Sequence, residues 1–180
     1  MKILLFLASL LSSSAMAAEI DTDRSVFNWK GSKITGSFHE GQLFPLSSSI
    51  TIEDDKITGG EIVINMLTFT VTDIVDKERA PKFLRHMKSA DFFNVEKFST
   101  ASLKLLSIEN DTAVGNLTVL GKTQTVSFPI KKEGEKYVGK MTFDRTKFGI
   151  TYKSGNFFTD LGDKVINDEI EVTFEIFIKG

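Results

Sequence analysis

The chain has 180 residues, with 22 Lys/Arg against 24 Asp/Glu, a formal net charge of −2 and no cysteine. So weak a charge, with no Lys/Arg stripe interleaved with aromatics, excludes nucleic acid as a partner. The missing cysteine excludes a disulfide scaffold, thiol catalysis and a cysteine-linked lipid anchor, so stability must come from a hydrophobic core.

Met1-Lys2, a nearly all-apolar run from Ile3 to Leu11, and Ala15-Met16-Ala17 read as a secretory signal peptide over residues 1–17. The run is far shorter than the roughly 20 residues a membrane-spanning helix needs. Cleavage after Ala17 leaves residues 18–180 as one domain, periplasmic or secreted, and not a lipoprotein.

Beyond it the pattern is all-β with one helical interruption. Ser25–Lys30 alternates, with Phe27 and Trp29 on one face, and Lys33–Phe38 reads as its continuation after Gly31. Ile50 and Ile52 precede a turn at Glu53–Lys56, and Gly59-Gly60 reads as a break before Ile62, Ile64 and Met66. Ala101, Leu103 and Leu105 alternate; Asn110-Asp111 is a turn; Val114–Leu120 is a strand that turns at Gly121–Thr123 into Val126, Phe128 and Ile130. Glu133–Glu135 is the next turn, ahead of Tyr137–Asp144. The last strand sets Ile170, Val172, Phe174, Ile176 and Ile178 against Glu169, Glu171, Thr173 and Glu175. Eight or so short strands of this kind fit an antiparallel sheet closed on itself, and equally a β-sandwich.

The interruption lies at Lys77–Phe98. Phe83, Leu84 and Met87 share a helix face, Pro81 suits a first turn, and Ser89 and Asp91 supply turn chemistry ahead of Phe92-Phe93. Two consecutive phenylalanines at an element boundary cannot both hide on one face, so one of them meets a cavity or a neighbouring layer. The segment is basic, and Lys82, Arg85 and Lys88 are the candidates for a lip that meets an anionic head group or membrane surface. A solvated helix face is the other reading.

The chain has 16 Phe against two Tyr and one Trp, which suits a dry interior. Phe27, Trp29, Phe38, Phe69, Phe128, Phe143 and Phe174 cannot all fill a small barrel alongside the aliphatics unless some line a tunnel.

Phe83-Leu84-Arg85-His86-Met87-Lys88-Ser89 running into Asp91-Phe92-Phe93 resembles the signature of the YceI-like family of secreted lipid- and polyisoprenoid-binding proteins. Three further segments are similar to that family in the same order: Trp29–Ser37 with His39-Glu40-Gly41, Gly115–Thr123, and Asp144–Ile150. The resemblance implies an eight-stranded antiparallel lipocalin-like β-barrel with one short helical insertion, holding an amphiphilic, often isoprenoid, chain.

No His-Glu-x-x-His motif, nucleophile elbow, phosphate loop or dinucleotide fingerprint occurs, so neither a catalytic residue nor a metal or cofactor is expected. Asp54-Asp55 and Asp160 with Asp163 read as turn formers. The expected function is that of a non-enzymatic carrier or sequestering protein for a long apolar amphiphile: a polyisoprenoid, an isoprenoid quinone, or a fatty acid or amide. Phe27, Trp29, Phe38, Phe69, Phe92, Phe93, Phe128, Phe143 and Phe174 are its expected ligand-binding residues, and His39, Lys82, Arg85 and Lys88 its head-group candidates. A lipid-modifying enzyme using His39 and a protein-binding barrel adaptor are the alternatives. Besides the lipid, a transient membrane surface and a second copy of the chain stand as further partners.

Overall fold

A computed structural model describes residues 15–179; the apolar core of the expected signal peptide, Ile3–Leu11, lies outside the described residues. The strands are β1 (Met16–Ala18), β2 (Val26–Lys33), β3 (Phe38–Glu53), β4 (Lys56–Asn65), β5 (Thr100–Glu109), β6 (Thr112–Val119), β7 (Lys122–Glu133), β8 (Lys136–Asp144) and β9 (Ile166–Phe177). One α-helix, α1 (Arg79–Lys88), lies between β4 and β5.

Strands β2 to β9 pair antiparallel in sequence order, and β9 pairs back onto β2, so eight strands close into a barrel. The long β3 makes the closure possible. Its first part, Phe38–Leu43, pairs with β2, and its second, Phe44–Glu53, pairs with β4. Where β2 stops, β1 takes up the same lane against Ile50–Ile52.

Alternation drives each strand inward on one face. Ala101, Leu103 and Leu105 on β5 are buried, as are Val172, Phe174 and Ile176 on β9. The turns that close hairpins carry the residues that tolerate left-handed backbone: Asp54-Asp55 (φ 48° and 60°) and Asn110-Asp111 (φ 49° and 59°).

Two expectations are corrected. Lys33 ends β2, but residues 34–37 do not extend it and make the β2–β3 hairpin tip, with Ser37 C=O accepting from Lys33 N–H at 2.8 Å and Gly36 at φ 86°. The Ile34/Gly36/Phe38 alternation imitates a strand, and the glycine's freedom at positive φ settles it as a turn. Gly59-Gly60 is not a break either, because both pair within β4. Gly60 sits at φ 122°, and a Cβ there would lie 2.2 Å from Ser49 O, so only glycine permits this close strand crossing.

The up-and-down topology gives the barrel two unlike ends. The connections 34–37, 66–99, 120–121 and 145–165 gather at one end, and 19–25, 54–55, 110–111 and 134–135 at the other. The second end is packed shut: Phe128 meets Phe174 edge-on at 5.8 Å, and Ile20, Ile50, Ile57, Ala113, Ile130 and Ile176 are buried around them. The first end is open.

Candidate functional site

The open end leads into a cavity of about 400 Å³. Its walls carry aliphatic side chains, Ile62, Leu103, Leu117, Val119, Met141 and Val172 among them. Aromatic rings make up much of the rest. Trp29 stacks on Phe69 at 4.6 Å, Phe69 meets Phe93 at 5.4 Å, and Phe143 meets Phe148 edge-on at 5.5 Å. The indole N–H of Trp29 is spent on Thr70 O at 3.0 Å, so the ring offers the cavity its face without an unsatisfied donor.

Helix α1 lies across the mouth. Its first turn is held by the Asp76 carboxylate, which accepts from the Glu78 and Arg79 N–H groups at 2.8 and 2.9 Å. These bonds hold the exposed Asp76 carboxyl below the usual carboxylate range. Arg79, Phe83 and Met87, spaced four residues apart on one face, all border the cavity. Phe83 reaches both Trp29 (6.3 Å, stacked) and His39 (4.6 Å).

The polar groups of the mouth are few: Ser32, Lys33 and Ser37 from the β2–β3 hairpin, His39 at the start of β3, and Arg79. His39 Nδ1 lies 2.7 Å from Asp73 Oδ2, and Asp73 Oδ1 accepts from the Glu40 N–H at 3.0 Å. Burial pushes the Asp73 carboxyl up, but the hydrogen bonds from Glu40 and His39 outweigh it and hold the group below its ordinary value. With Asp73 ionised, the His39 Nδ1 carries the proton toward it.

Arg145 closes the cavity wall beside Ile150 and Ile166, with four of its five N–H donors bonded within the protein. It is 2% exposed, and its guanidinium donates to the carbonyls of Asn167, Ile150 and Ile166 and to Asp168 Oδ1, at 2.7–3.1 Å. Burial pulls the guanidinium below its usual pKa, while the neighbouring Asp168 pulls it back up. Ser154 and Asn156 complete the site by donating to Asp168 Oδ2.

Of the aromatics singled out in the sequence, Phe27, Trp29, Phe38, Phe69, Phe92, Phe93 and Phe143 line the cavity. Phe128 and Phe174 face inward at the packed end and do not. His39 borders the mouth, but the other head-group candidates do not. Lys82 and Arg85 are exposed on the outer face of α1, and Lys88 Nζ donates to Leu67 O at 2.8 Å. The helix docks through the Arg79/Phe83/Met87 face, which turns these three cations away. His86 is outside the cavity as well, bonded to Asp91 at 3.1 Å and edge-on to Phe92 and Tyr152. Asp73, Arg79 and Lys33 are the mouth residues that sequence reasoning passed over. Arg79 carried a signal, since it stands four residues before Phe83 on the same face; Asp73, in an irregular loop, carried none.

The comparisons with known proteins agree with this architecture. Protein YceI of Salmonella newport (strain SL254) is 27% identical over 183 aligned residues, covering 94% of this chain and 92% of that protein. The crystal structure of Burkholderia cenocepacia BcnA superposes with a TM-score of 0.62 at 17% identity, over 89% of this chain and 99% of that one. A polyisoprenoid binding domain from Saccharophagus degradans, implicated in plant cell wall breakdown, has the same fold, with a TM-score of 0.59 at 13% identity over 94% and 99% of the chains. The model of the YceI-like domain matches residues 19–178, nearly the whole described barrel, and the chain belongs to the YceI-like family.

Proposed function

We propose that the protein is a carrier that holds the apolar chain of an amphiphile inside the barrel, with the ligand's polar head at the mouth. The observation that carries this reading is the cavity itself. At about 400 Å³ it falls within the roughly 300–1,000 Å³ of ligand pockets, and nearly all its lining is aliphatic or aromatic. Affinity then comes from removing methylenes from water, at about 0.8 kcal/mol each. Lys33, Arg79 and the Nε2 of His39 stand where an anionic or hydrogen-bonding head group would sit. The Saccharophagus degradans structure, described as a polyisoprenoid binding domain, supports an isoprenoid as the first guest to test.

Organic extraction of the purified protein followed by mass spectrometry is expected to release one lipid class in stoichiometric amount, chemically unchanged after incubation. Protein that carries no lipid and binds none of a polyprenol, a polyprenyl phosphate, a quinone or a fatty acid would end the reading. Conversion of the bound lipid would instead favour an enzyme built on the His39–Asp73 pair.

We place this carrier outside the cytoplasm, on the evidence of Lys2, the apolar run and Ala15-Met16-Ala17. Cleavage after Ala17 removes two of the three residues of β1, both exposed, and leaves the closed barrel untouched. N-terminal sequencing of the exported protein is expected to begin at Ala18; a chain retained in the membrane from Met1 would overturn the assignment.

A further inference from the structure

The two ends of the barrel differ in charge as well as in packing. Among the described residues, the mouth-end connections and their flanking residues (33–38, 65–100, 119–122 and 144–166) hold 12 Lys/Arg against 8 Asp/Glu. The rest of the described chain holds 9 against 16. A chain of nearly balanced charge is therefore a dipole, positive at the mouth and negative over the body.

The pairing of these charges is just as uneven. Away from the mouth, Arg24, Lys132, Lys136, Lys140 and Lys179 each have a carboxylate partner. At the mouth end only the buried Arg145 does, with Asp168; Lys33, Lys77, Arg79, Lys82, Arg85 and Lys153 are not ion-paired among the described residues. Exposed large apolar side chains follow the same polarity. Of the nine among the described residues, five belong to mouth-end connections, Ile34 (58% exposed), Leu67, Val75 (94%), Phe157 and Phe158, and a sixth, Phe38, directly flanks one. They are divided among three separate mouth-end connections and their flanks, and the β2–β3 tip is tied to the 145–165 connection by the Ile34 N–H bonded to Val165 O at 3.2 Å.

We infer that the mouth end docks onto an anionic lipid bilayer. Aromatic and aliphatic tips set among unpaired cations match an interface where apolar groups enter by about 5–10 Å and basic ones meet lipid phosphates. Repulsion of the acidic body by the same surface orients the barrel mouth-down. An acidic protein partner would match the charge, but it calls for one contiguous apolar face, and these side chains are divided among three connections. The inference goes beyond the carrier reading and holds whatever the cavity contains.

Flotation of the purified protein with vesicles of phosphatidylcholine, with and without phosphatidylglycerol, tests it. Binding is expected only to the anionic vesicles and is expected to weaken as salt shortens the screening length. Neutralising one mouth-end cation is expected to lower partitioning about fivefold, so Lys77→Gln/Lys82→Gln/Lys153→Gln should lose on the order of 100-fold. Phe157→Ser/Phe158→Ser is expected to abolish salt-resistant binding. Leu106→Ser with Lys56→Gln, changed on the body, is expected to bind as the parent does. Equal loss in mouth and body variants, equal binding to neutral vesicles, or no vesicle binding with capture of an acidic protein by the same surface would each overturn the proposal.

Discussion

Arg145→Leu is expected to lower the free energy of unfolding by about 3–5 kcal/mol, because it leaves a buried carboxylate without its counter-charge. Asp168 is 14% exposed and keeps only the neutral donors Ser154 and Asn156 once the guanidinium is gone. Three backbone carbonyls, those of Ile150, Ile166 and Asn167, lose their donor at the same stroke. Arg145→Lys should recover little, since one ammonium cannot replace a planar fork that reaches four acceptors. Arg145→Leu/Asp168→Asn should recover part of the loss by removing the stranded charge. Urea unfolding of the three variants checks the series. A loss no larger than that of an exposed pair, about 1 kcal/mol or less, would show that the site is wetter than its burial implies.

Phe128→Ala and Phe143→Ala are expected to behave differently although both rings point inward. Phe128 is 3% exposed at the packed end, so its loss opens a hole and costs about 3–5 kcal/mol with or without ligand. For a domain of this size that is roughly 6–20 °C in Tm. Phe143 borders the existing cavity and is half-buried, so its truncation enlarges a space already there. It should cost less in the ligand-free protein, and its larger effect should fall on the thermal shift produced by a polyprenol. Equal destabilisation by the two variants, with and without lipid, would mark the wall at Phe143 as ordinary core.

The contrast between these two residues shows what the sequence could and could not reveal. Period-two alternation made β5 to β9 legible and set Phe27, Trp29, Phe128, Phe143 and Phe174 on the inner face. Alternation fixes the face but is blind to what each ring packs against: Phe128 and Phe174 pack on one another at the closed end, while Phe27, in register with Phe174, still borders the cavity. The helix was legible for the same kind of reason: Phe83, Leu84 and Met87 fall on one side. The cation that shares this face was legible too, since Arg79 stands one turn before Phe83, whereas Lys82, Arg85 and Lys88 fall on other faces. Arg79 went into the mouth, while Lys82, Arg85 and Lys88 stayed outside. Asp73 lies in an irregular loop with no period at all, and only the folded chain brings it to His39. The two strand-boundary misreadings came from glycines. Gly36 sat in a run that alternates, and Gly59-Gly60 reads as a break although both pair within β4, where close contact with Ser49 requires glycine only at Gly60.

The pairing of Ile20 with Ile178, backed by the Asp21 N–H to Phe177 O and Lys179 N–H to Glu19 O bonds at 2.7 and 2.9 Å, brings the barrel's entry and exit segments together. They meet at the pole opposite the opening. Tethering the protein to a bead or sensor through either segment should therefore present the opening to solution. A short linker from 179 to 19 should likewise make a circular permutant whose new termini can be cut in the 134–135 hairpin, where the wall is already at its edge.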